Sequence, residues 1–253
     1  MPYMCLERCD ENIQQDLQQL KEKIKYFKAV SIEQFDVSSD GDIIRGANLT
    51  NIIPNLKEIG VEKIYPMIST FNDSTKKHSI ENIGKVFANP ERFITHAISF
   101  ANEMGFNGFS IDFEPYSNEA TDKDGNDYAN FITLFANELH KNSLELLVNC
   151  AHWSKLWNLT AISLSSADLI IDMSTYTTNT QTWATIFQED VQLFSLSKLS
   201  IGLECDTVPP LSDQDLKYRF TLLKNYDIIA IAIWQMPMPE NWFQYFDELL
   251  NHL

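Results

Sequence analysis

The sequence has no long hydrophobic run, few cysteines and a shortage of positive charge. Its longest apolar run, Ile228 to Trp234, is far too short to span a bilayer, which takes about 20 residues. The opening Met1-Pro2-Tyr3-Met4 carries neither a basic nor an apolar stretch, so no signal peptide is expected. A cytoplasmic location follows, or a secreted or lysosomal one if a leader has been removed. Cys5, Cys9, Cys150 and Cys205 form no CxxC pair, which argues for separate buried thiols rather than a disulfide framework or a zinc site. Nineteen basic residues stand against 35 acidic ones, a net charge of −16. Nucleic acid and anionic membrane would both be repelled, so neither is an expected partner. No GxGxxG or GxxxxGKS/T loop follows a strand pattern, so dinucleotide and nucleoside-triphosphate sites lack their fingerprint and no cofactor is expected. Sequons at Asn48, Asn72 and Asn158 matter only in a secreted chain.

What is present is a sizeable apolar fraction, 44% over 253 residues, with no linker-like stretch. A single domain over residues 1–253, the usual length of one (β/α)8 barrel, is expected, and a monomer. Eight strand patterns alternate with helical ones. The strands begin at Tyr3, Ala29, Lys63, Gly108, Leu144, Leu169, Leu199 and Ile228. Such alternation argues for a parallel sheet with right-handed crossovers, and eight units close it. An open doubly wound sheet is the alternative. Local signals fix several boundaries: Asp10 and Ser212 as helix caps, Pro90 at a first helical position, and Gly105 as a helix stop. A polar loop over Ser117–Asp127 is expected above the barrel mouth.

The most informative stretch is Gly105-Phe106-Asn107-Gly108-Phe109-Ser110-Ile111-Asp112-Phe113-Glu114-Pro115-Tyr116. A strand sends neighbouring side chains to opposite faces. Phe109, Ile111 and Phe113 therefore share one face, and Ser110, Asp112 and Glu114 the other. Ionisable side chains on the inner wall of a central strand are costly without a task or a partner. Pro115 has no N–H for the ladder, so Glu114 stands at the strand's C-terminal end, where barrel enzymes carry their chemistry. The same parity turns Asp172, Ser174 and Tyr176 inward, then Glu204, then Ala230, Ala232 and Trp234, and also Glu7 and Glu33. A flat indole beside carboxylates and a phenol suits a sugar ring, with C–H faces for stacking and hydroxyls for hydrogen bonds. A divalent-cation site in the acidic mouth is a further reading, since oxygen-only ligands suit Mg²⁺ or Ca²⁺. No ligand spacing marks one, and no metal is expected.

Asn107-Gly108-Phe109-Ser110-Ile111-Asp112-Phe113-Glu114 resembles the D-G-x-D-x-D-x-E signature of family 18 glycoside hydrolases, the chitinase and endo-N-acetylglucosaminidase group. Tyr176 and Trp234 match that family's strand-six tyrosine and strand-eight tryptophan. The resemblance implies a hydrolase of β-linked, N-acetylglucosamine-containing glycans, retaining and substrate-assisted. Glu114 would be the general acid and Asp112 the residue orienting the 2-acetamido group. Tyr176, Trp234, Ser110, Glu204 and Asp172 would contact the sugar. Asn107 and Ser110 stand where the pattern has aspartates. That departure motivates a second reading, a catalytically silent carbohydrate-binding barrel.

Overall fold

The computed structural model describes residues 1–4, 13–46, 52–70, 79–115, 120–228 and 230–252. Its strands are β1 (Tyr3–Met4), β2 (Ala29–Val37), β3 (Ile43–Arg45), β4 (Lys63–Ser69), β5 (Gly108–Asp112), β6 (Glu145–Cys150), β7 (Leu169–Asp172), β8 (Leu199–Glu204) and β9 (Ile231–Trp234). All but β3 run parallel, in the order β1-β2-β4-β5-β6-β7-β8-β9. A parallel bridge between Pro2 and Ile233 joins the two ends. The Ile233 N–H donates to the Met1 carbonyl at 2.9 Å, and the Met236 N–H to the Tyr3 carbonyl at 3.1 Å. The chain is a single (β/α)8 barrel, as its alternating pattern predicts.

Two apolar layers hold it. Inside the barrel Tyr3, Tyr65, Met67, Leu147, Ile171 and Ala232 pack together. Outside, the opposite faces of the same strands meet the helices in one continuous core. Phe93 of α4 (Pro90–Met104), Tyr128, Phe131 and Phe135 of α5 (Asp122–His140) and Phe113 form an aromatic cluster there, with ring centroids 5.6–6.1 Å apart. Such rings add specific geometry to a large buried area, so this cluster fixes the outer wall of β5.

Helix ends follow the sequence signals. Pro90 opens α4, and Gly105 closes it in the left-handed conformation (φ +72°), its N–H donating to Ala101. In the helix Asp213–Asn225 the Ser212 side chain accepts from the Asp215 N–H at 3.2 Å, and Asp215 returns the contact, a reciprocal cap. Gly108, which starts β5, has no alternative: a Cβ there would lie 1.9 Å from the Glu145 carbonyl oxygen.

The turn expected at Ser38–Gly41 is present and closes a hairpin in which β3 pairs antiparallel with β2. Two expectations are corrected. Of the loop expected over Ser117–Asp127, residues 117–119 lie outside the described residues, and Asp122–Asp127 is helix instead, since Thr121 and Asp124 cap each other and start α5 at Asp122. The strand expected to run from Leu169 to Tyr176 stops at Asp172, whose Oδ1 accepts from the Ser174 N–H at 2.9 Å and turns the chain. Asp10, Glu7, Cys5, Cys9, Asn48 and Asn72 lie outside the described residues. Cys150 and Cys205 are free and buried, as expected. Among the described residues no helix is long and apolar enough to cross a membrane.

Candidate active site

The inner wall is built from the bottom upward. Midway through the barrel, the Tyr3 hydroxyl donates to Asn149 Oδ1 at 2.6 Å and shares a 2.9 Å hydrogen bond with Ser110 Oγ. Asn149 Nδ2 donates to Ser110 Oγ at 3.1 Å and to the Ile111 carbonyl at 3.2 Å. All three side chains are buried. A buried polar network of this kind specifies one arrangement, because each broken bond leaves a desolvated group behind. Ser110, a predicted ligand contact, is fully buried and its hydroxyl belongs to this floor.

Above the floor lies a carboxylate layer. Asp112 is in register with Ser69, and Ser69 with Asp36. Residues in register on parallel neighbours share a face, so all three belong to the inner wall. Ser69 Oγ donates to Asp36 Oδ1 at 2.9 Å. Asp36 was not foreseen. Parity carried from Glu33 would turn Phe35 inward, but the register shifts between Glu33 and Phe35. The extra residue puts Phe35 in the outer core, beside Phe100 and Phe109, and Asp36 inside. Glu33 itself is buried, in register with inward Met67.

Glu114 follows at the rim. Phe113 is locked into the outer aromatic cluster, and Glu114, one residue on, is exposed above the end of β5. Its backbone is held on both sides by one side chain: Thr70 Oγ1 donates to the Glu114 carbonyl at 2.8 Å and accepts from its N–H at 3.1 Å. Thr70 directly follows β4, so two neighbouring strands fix the placement. The surrounding protein desolvates the Glu114 carboxyl and raises its pKa.

The opposite side of the mouth carries Tyr176, Glu204 and Trp234. Glu204 and Trp234 are in register on β8 and β9. The Trp234 ring lies 5.8 Å from the Tyr3 ring, packed on the inner cluster, and the peptide bond after it is cis. Burial, then the Asp206 carboxylate, raises the pKa of Glu204. Tyr176 reaches the mouth from the turn after β7 and folds over Gly202 of β8. A Cβ on Gly202 would lie 2.7 Å from the Tyr176 ring. Burial, then the neighbouring Tyr3, Asp112, Glu204 and Asp172, holds the Tyr176 phenol well above its ordinary pKa, as a neutral donor. Arg219 steadies the next residue by donating to the Thr177 carbonyl.

Asp172 is a correction. It is in register with Cys150 and Ile201, which belong to the outer core, while Ile171 takes the inner face. The alternation Asp172, Ser174, Tyr176 imitated one strand face, but the strand ends at its first member. Asp172 therefore lies on the outer face of the barrel wall, behind the mouth, within electrostatic reach of Tyr176. Asn107, at the start of β5, also has a structural post: its Oδ1 accepts from the Ile64 N–H at 2.9 Å. A cavity of about 510 Å³ opens at the N-terminal end of the strands, lined by Tyr65, Glu145, Leu147 and Ser200. It holds none of the residues just described.

No family model and no curated protein matches this sequence. Solved structures do. A chitinase from Chromobacterium violaceum superposes with a TM-score of 0.82 at 13% identity, covering 98% of each chain. The spore cortex-lytic enzyme SleL of Bacillus megaterium gives 0.80 at 16%, covering 97% of this chain and 72% of its own. A glycoside hydrolase family 18 N-acetylglucosaminidase from Paenibacillus barengoltzii gives 0.71 at 11%, covering 100% of this chain and 98% of its own. At these identities the likeness establishes the fold, a (β/α)8 barrel of the kind chitinases use.

Proposed function

We propose that this protein is a glycoside hydrolase that cleaves β-linked, N-acetylglucosamine-containing glycans by a retaining, substrate-assisted route. One observation carries the reading. Asp112 ends the central strand on the inner wall and Glu114 follows above the strand end, while Trp234 ends the last strand and Tyr176 lies against Gly202 of β8. The C-terminal end of a (β/α)8 barrel is where such enzymes bind substrate. The chitinase-type neighbours support glycosidase-type chemistry at the level of the fold.

In this reading the sugar's own 2-acetamido oxygen attacks the anomeric carbon. Glu114 gives its proton to the leaving glycosidic oxygen and then takes one from water. Its raised pKa suits a group that must begin protonated. Asp112 orients the acetamido N–H and balances the positive charge of the oxazolinium-like intermediate. The neutral Tyr176 phenol donates to the acetamido oxygen, and the Trp234 face stacks beneath the ring. A second reading, binding without turnover, draws on Ser110. Its hydroxyl hydrogen-bonds to Tyr3 and Asn149. The two readings separate in one screen of chitooligosaccharides and fluorogenic N-acetylglucosaminides. Release of product by the wild type but not by Glu114→Gln supports hydrolysis. Tight binding without release by either protein supports the second reading.

A further inference from the structure

Outside the barrel, three side chains from three elements converge behind the mouth. His152 follows β6, Asp172 ends β7, and Asp190 lies on the helix Thr180–Leu193. Their potential ligand atoms all lie within 4.8 Å of one another. His152 Nε2 is 3.2 Å from Asp190 Oδ1 and 3.8 Å from Asp172 Oδ2. Both aspartates are fully buried. Asp172 Oδ1 is already occupied by the Ser174 N–H, which leaves Oδ2 aimed at the cluster. Neither Asp172 Oδ2 nor Asp190 Oδ2 has a hydrogen-bond partner. Two buried carboxyl groups facing each other are costly unless a cation or a shared proton joins them. A shared proton would engage only the two carboxyl groups, whereas a metal ion engages both of them and the His152 imidazole at once.

From this geometry we infer that His152, Asp172 and Asp190 form a structural site for a divalent transition-metal ion of the zinc class. One nitrogen and two carboxylate oxygens make a mixed donor set that suits zinc. In a tetrahedral zinc site neighbouring ligand atoms stand roughly 3.3 Å apart, close to the His152–Asp190 spacing. The outer partner that metal-bound histidines have is also in place: His152 Nδ1 faces Glu189 Oε2 at 3.5 Å. His152 is solvent-facing, so an ion can enter beside it and a water can complete the coordination. The ion would tie β7 to the β6 loop and to the helix beyond. In doing so it would fix the turn that carries Tyr176, without taking part in the chemistry at Glu114. The site stands independently of the glycosidase reading.

Untagged, chelator-stripped protein titrated with Zn²⁺ tests it, by calorimetry and by thermal melting. The wild type should bind one equivalent and melt roughly 5–10 °C higher at a hundredfold excess over Kd. His152→Ala, which changes a solvent-facing residue, should remove both signals while retaining the wild-type circular dichroism spectrum. Glu189→Ala should weaken binding about 10–100-fold. Mg²⁺ and Ca²⁺ at equal concentration should give no shift. Absence of Zn²⁺ binding by the wild type overturns the inference. So does binding that survives in His152→Ala, or an equal shift with Ca²⁺.

Discussion

Gly202→Ala is a single-methyl test of whether Tyr176 must lie where it does. The new Cβ would sit 2.7 Å from the Tyr176 ring and 2.5 Å from the Asp172 carbonyl oxygen. Ordinary van der Waals contact starts at 3.4 Å, so the ring has to retreat by about 0.7 Å, from 2.7 to 3.4 Å, and the Asp172 carbonyl by about 0.9 Å, from 2.5 to 3.4 Å. Overpacking of this size costs about 1–3 kcal/mol. For a domain of this length that is a fall of roughly 2–12 °C in Tm, small enough to leave a folded protein to assay. Misplacing a substrate-positioning group by 1 Å can cost about 100-fold. A retreat near 0.7 Å therefore predicts at least a tenfold or so drop in kcat/KM on a fluorogenic N-acetylglucosaminide. Tyr176→Phe keeps the ring and removes only the hydroxyl, worth about 0.5–1.5 kcal/mol, so its loss should be about 2–12-fold. A folded Gly202→Ala protein with wild-type kcat/KM would refute the placement of Tyr176 as a substrate contact.

Other outcomes follow from the same geometry. Tyr3→Phe strips the donor from buried Asn149 Oδ1 and should cost about 1–3 kcal/mol in urea unfolding, with an unchanged midpoint arguing against the floor network. Thr70→Val removes both tethers on the Glu114 backbone; kcat should fall while Tm moves little, and a variant that loses only stability would assign Thr70 to packing. A raised pKa on an essential acid means that kcat/KM is lost as pH rises through that pKa, so the alkaline limb of the profile should lie above 4.5, the ordinary value for glutamate; a limb at or below 4.5 contradicts the role of Glu114. Ser212→Ala should cost about 1 kcal/mol by chemical denaturation, since it removes a reciprocal helix cap, and a neutral result would show that the cap is replaced by solvent.

The fold was legible wherever local chemistry and hydrophobic period agreed. Pro90, Gly105 and Ser212 mark real helix boundaries, and the alternation through Phe109, Ile111 and Phe113 places the two faces of β5 correctly. Parity failed where a strand was not regular. The shifted register after Glu33 hid Asp36, because one inserted residue exchanges the faces of everything beyond it. At Asp172 the rule failed for a different reason. A polar residue at a strand end can find polar partners outside the barrel, here His152 and Asp190, which lie 20 and 18 residues away in sequence. Tyr3 was named only as the start of the first strand, although the parity that turns Glu7 inward turns Tyr3 inward too. Only its register with Ser31, and its bonds to Ser110 and Asn149, reveal that it supports the mouth.

The central claim, that a sugar is cleaved between Glu114 and the Trp234 platform, is tested most directly by a crystal structure of Glu114→Gln soaked with a chitooligosaccharide. The account predicts one sugar ring stacked on Trp234, its acetamido group against Asp112 and Tyr176. The glycosidic oxygen should lie within hydrogen-bond distance of the residue 114 side chain. A saccharide bound instead in the cavity beside Tyr65 and Glu145, or stacked with its glycosidic oxygen turned away from residue 114, would contradict it.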